Sequence, residues 1–130
     1  MKDLSAENPV ERMGSTLAGV EMVAEVPISR VHSFVEEVIR AVESAGFVAE
    51  RRAEGYALMP AGVNVPTHLR IGVFGSMVSF WIRGAFNLLE SADRLGVEPQ
   101  ELFDALMDGV RRAAEIFRRM PQGAVKIRVP

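Results

Sequence analysis

The side chains with the most chemistry to offer lie close together, in THLRIGVFGSMVSFWIRG at 67–84. Gly75-Ser76 has the Gly-X form of a two-residue type II′ hairpin turn. Such a turn opposes Phe74 to Met77, Gly72 to Ser79, Arg70 to Trp81 and His68 to Arg83. Strand side chains alternate between faces, so Leu69, Ile71 and Val73 share an apolar face with Val78, Phe80 and Ile82. The other face gathers His68, Arg70, Phe74, Met77, Trp81 and Arg83 around the small Gly72 and Ser79. Aromatic rings beside arginines suit single-stranded nucleic acid: unpaired bases stack on the rings and guanidinium groups hold the phosphates. A face of this composition is costly to expose without a use. The rival readings are a helix that covers it as ordinary core, or a subunit interface. A Trp opposite an Arg is also a common cross-strand pair.

Other chemistries find little support. His32 and His68 are the only histidines and lie on different elements, without a carboxylate at metal-ligand spacing. There is no cysteine, which removes thiolate metal sites, disulfides and a cysteine nucleophile together. The pairs Glu36-Glu37 and Asp104/Asp108 read as solvated helix faces rather than acid–base pairs. GVFGS lacks a Walker or dinucleotide signature, and no serine sits in a GxSxG elbow. The expectation is a non-catalytic protein without metal or cofactor.

The elements that must position this face are legible from periodicity. Residues 1–15 read as a flexible tail, and 16–130 as a single α+β domain. TLAGVEMVAEV at 16–26 alternates as a half-buried strand, with Ala18, Val20, Met22, Ala24 and Val26 inward. A helix follows, capped by Ser29, with Val31, Phe34, Val35, Val38 and Val42 on one stripe, stopping at Gly46. FVAERR (47–52) and GYALMP (55–60) form a hairpin, and THLRIGVF (67–74) and MVSFWIR (77–83) a second. Helices are expected over 85–95, ending at Gly96, and from Pro99 to about Met120. GAVKIRVP closes the chain as an edge strand. The predicted architecture is an antiparallel β-meander sheet with amphipathic helices packed on one face. Arg51, Arg52 and Tyr56 in the first hairpin, and Lys126 and Arg128 in the last strand, extend the binding surface if their registers align with it.

In layout, and in THLRIGVFGSMVSFWIRG, residues 16–120 resemble the single-stranded DNA-binding proteins of thermophilic archaea known as ThermoDBP and their shorter relatives. Those have a small antiparallel sheet with helices on one side and a hydrophobic cleft fringed by basic residues. The resemblance implies an archaeal, thermophilic source and carries the binding role onto Arg70, Phe74, Trp81 and Arg83. The family's founding member dimerises through a C-terminal zipper helix, whereas this chain has GAVKIRVP there.

Bulk properties set the outer limits. A chain of 130 residues with 48% hydrophobic and 25% charged residues can bury a core without disulfide or metal. The polar start MKDLSAENPVERMGS has no apolar core of a signal peptide, and nothing approaches the length of a membrane span. A cytoplasmic protein is expected. The net charge of −2 does not advertise a polyanion partner. Its distribution is uneven, however: residues 1–50 carry four Lys/Arg against nine Asp/Glu, and 51–130 eleven against eight. The expected function is largely sequence-independent binding of single-stranded DNA or RNA. A protein-interaction or homodimerisation module using the same apolar face is the alternative, and a ligand pocket between sheet and helices a third.

Overall fold

Two hairpins supply four adjacent strands of the sheet. In the computed structural model, which describes residues 9–60, 69–82 and 87–126, β2 (Phe47–Arg52) pairs with β3 (Gly55–Pro60), and β4 (Leu69–Phe74) with β5 (Met77–Ile82). Gly75 takes φ of +61°, which an L side chain resists and the first position of a II′ turn needs. The Phe74–Met77, Gly72–Ser79 and Arg70–Trp81 pairs form as the turn dictates. β3 also pairs with β4, completing the meander.

Beyond β5 stand β1 (Glu21–Glu25) and then β6 (Gly123–Lys126), giving one six-stranded antiparallel sheet of order β2-β3-β4-β5-β1-β6. The first strand therefore lies beside the fifth, and the last strand closes the edge beyond it.

Four helices pack on one face: α1 (Pro9–Ala18), α2 (Val31–Glu43), α3 (Leu88–Leu95) and α4 (Pro99–Arg118). Phe34, Val35, Val38 and Val42 of α2 and Leu102, Leu106, Val110, Ala113 and Phe117 of α4 share one core with Met22, Phe47, Leu58, Leu69, Ile71, Val78 and Phe80 of the sheet. Phe117 stands edge-on to Phe34, ring centres 5.2 Å apart, and to Phe80 at 6.5 Å. One residue of α4 thus ties α2 to β5. The α+β class and the one-sided layering agree with the sequence reading.

Four local expectations are corrected. Residues 9–15 are not tail: α1 begins at Pro9, with Leu17 and Thr16 buried and Val10 and Met13 against the core. Val10, Met13 and Leu17 recur at helical spacing, and this outweighs the alternation that suggested a strand from Thr16; β1 starts at Glu21. Ser29 does not cap α2. A 3₁₀ turn (Ile28–Arg30) leads into the helix, whose N-cap is Arg30 with no side-chain bond. The helix over 85–95 begins at Leu88, where Asn87 Oδ1 accepts the amide of Glu90 at 2.9 Å. The stops at Gly46 and Gly96 are present, both left-handed.

Candidate nucleic-acid interface

The register of six strands fixes what the face away from the helices presents. One rung crosses the whole sheet: Glu50, Ala57, Arg70, Trp81, Glu21 and Lys126. The next holds Arg52, Gly55, Gly72, Ser79, Val23 and Ala124. Near the β4–β5 turn, Phe74, Met77 and Glu25 form a third, shorter row. Phe74 is 60% exposed and Met77 42%, the reverse of what either side chain would adopt in a core. Ala57 and Gly72 are buried here, both small residues between longer neighbours.

Trp81 reaches across the sheet to Gly72 and is half-buried. A methyl group at position 72 would stand 2.8 Å from Trp81 Cζ3 and 3.1 Å from Ser79 Oγ. The indole therefore lies diagonally across the sheet over Gly72, a cross-strand placement that only a missing side chain permits. Gly55, beside Gly72, presses the β2–β3 hairpin onto β4, since a Cβ there would strike the Ile71 carbonyl oxygen at 1.8 Å. The result is a groove of about 480 Å³ with Gly55 in its wall, lined by Trp81, Arg70 and Arg52 and touched by Tyr56 from the hairpin. Its size falls in the range of small-ligand clefts.

Of the residues singled out from sequence, Arg70, Phe74, Trp81 and Arg52 come together on this face. Tyr56 and Arg51 do not. They pair with each other, Tyr56 then pairs with Ile71, and the period of two puts all three on the helix side. There Tyr56 is half-buried against the core, while Arg51 stays exposed at the margin. Lys126 ends the first rung by its backbone register. His68, Arg83 and Arg128 lie outside the described residues.

Sequence reasoning missed the carboxylates. Glu21 and Glu25 reach the face because β1 docks against β5, opposite Trp81 and Met77. That pairing joins strands separated by the rest of the meander, and no local signal announces it. Glu50 is on the face as well, ion-paired with Arg52. The surface is thus mixed in sign. His32 is paired with Glu36 at 2.6 Å on the exposed side of α2. Among the described residues no cluster of three or more His, Asp or Glu could hold a metal, and no helix is long and apolar enough to cross a membrane.

The class these features define is a two-layer α+β domain with an uncovered, aromatic-bearing sheet face. Comparison with known protein families, curated proteins and solved structures finds no match for the chain.

Proposed function

We propose that this protein binds single-stranded nucleic acid, DNA in the first instance, on the open face of its sheet and without catalysing a reaction. The observation that carries the reading is Trp81 reaching over Gly72, directly opposite Arg70, on a face that the helices leave bare. A half-buried indole on an open sheet face offers a stacking surface for any base, and stacking of this kind is sequence-tolerant. Phe74 and Met77, two rungs along, extend the apolar track, and Arg52 and Arg70 supply cations for phosphates. The ThermoDBP resemblance points the same way, and a cytoplasmic location suits such a role. Duplex offers no exposed base faces and should bind weakly.

The test uses the single tryptophan of the chain as its own probe. Single-stranded oligonucleotides should quench Trp81 emission, with an affinity that falls with salt at a log–log slope near −0.7 per phosphate contact. Trp81→Ala should weaken binding by roughly 1–3 kcal/mol. A flat response at low salt would refute the reading.

A second reading has its own observation. Glu21 and Glu25 alternate with arginine and apolar residues on the same face, and interleaved charges of both signs suit a self-complementary surface. In that case the face closes a homodimer, visible as a doubled mass by light scattering and indifferent to nucleic acid.

A further inference from the structure

The β2–β3 hairpin has a groove on each side of its tip. The Trp81 groove lies on the open face. The other, of about 430 Å³, lies on the helix side between the hairpin, the start of α2 and β4, and is lined by Tyr56, Arg51, His32, Val35 and Val73. Residues 52–56 line both. The alternation of the strand sends Arg52 to the first groove and Arg51 to the second. Between them the tip is low: Ala53 is small, and Gly55 leaves bare backbone against Ile71.

We infer that a bound single strand crosses the tip of this hairpin, one base on Trp81 and a later one against Tyr56, with Arg52 and Arg51 holding the phosphates between. The inference rests on the nucleic-acid reading and adds to it a path, a second stacking residue and a minimum length. Each groove offers what a nucleotide needs, an aromatic ring beside a guanidinium. Arg52 is already engaged by Glu50, but the two are about half exposed. An exposed ion pair of this kind is weak enough for a phosphate to displace. Glu54, exposed at the tip, lines both grooves and is a carboxylate that the crossing strand must pass.

The experiment is a length series of deoxythymidine oligonucleotides, about 4 to 16 nucleotides, read by Trp81 quenching. Wild-type affinity should rise once the strand is long enough to round the tip. Arg51→Glu and Tyr56→Leu should each cost about tenfold for long strands and leave the shortest unchanged. Arg51→Glu should also lower the salt slope by about 0.7 for long strands. Glu54→Gln should tighten long strands alone. Arg51 is exposed, so its variant tests the path even where Tyr56→Leu unsettles the packing; a fluorophore on Ala53→Cys, the sole thiol, should respond only to long strands. Equal losses at every length, or none, would overturn the path while persistent Trp81 quenching left the proposed function standing. Absence of any Trp81 response would overturn both.

Discussion

Gly72 is where a single atom decides the shape of the site. Its φ is unexceptional, so the backbone would accept any residue; what it lacks is room for a side chain beneath the indole of Trp81. Glycine within a strand weakens the sheet, and a β-branched or larger residue would normally serve better there. Its presence in the middle of β4 is therefore explained by what lies above it. Gly72→Ala places a methyl 2.8 Å from the far end of the Trp81 ring, which must tilt away from the sheet. The expected outcome is a protein as stable as wild type or slightly more so, with Trp81 more accessible to acrylamide and binding of single strands weakened about tenfold. Unchanged quenching would mean that the ring does not rest on position 72. The same small residue was visible in the sequence as one of two gaps among large neighbours, the other being Ser79. Its purpose was not, because a diagonal contact across strands depends on rotamer as well as register.

At the scale of elements, what is local in the chain was legible and what is distant was not. Both hairpins announced themselves through their turns, and β2 and β3 have the predicted bounds, since pairing across two residues leaves little choice of register. α4 began at its proline as expected. The docking of β1 against β5, by contrast, brings Glu21 and Glu25 to the face through contacts spanning more than fifty residues, and alternation within β1 cannot name its partner. α1 was hidden for another reason. Its stripe is short, and Gly14, Ser15 and Thr16 are poor helix formers, so its stability comes from packing: Leu17 is fully buried, and the helix touches α3 and α4. Leu17→Ala should accordingly cost about 2–5 kcal/mol in denaturant unfolding, the range for a filled core position. A cost below about 0.5 kcal/mol, typical of an exposed site, would return residues 9–15 to the status of a tail and Leu17 to the outward side of a strand.

For the whole molecule, the two faces of the sheet divide the labour between stability and recognition, and the division is measurable. β5 illustrates it: Val78, Phe80 and Ile82 point into the core while Met77, Ser79 and Trp81 point out. Phe117 backs this strand from the helical layer through Phe80 and reaches α2 through Phe34. Removing its ring opens a cavity where three elements meet, at a cost of about 3–5 kcal/mol, a large part of the roughly 5–15 kcal/mol that holds a domain folded. Trp81 lies on the other side of the same backbone, where truncation opens no cavity in the core. Phe117→Ala should therefore lower the unfolding midpoint sharply while the fraction still folded binds single strands with wild-type affinity. Trp81→Ala should do the reverse, changing stability by little and affinity by an order of magnitude. Unfolding followed by circular dichroism, with binding of both variants followed by anisotropy of a labelled oligonucleotide, separates the two effects. If Trp81→Ala instead unfolds the protein as readily as Phe117→Ala, the indole is part of the core, and the open face has no recognition role.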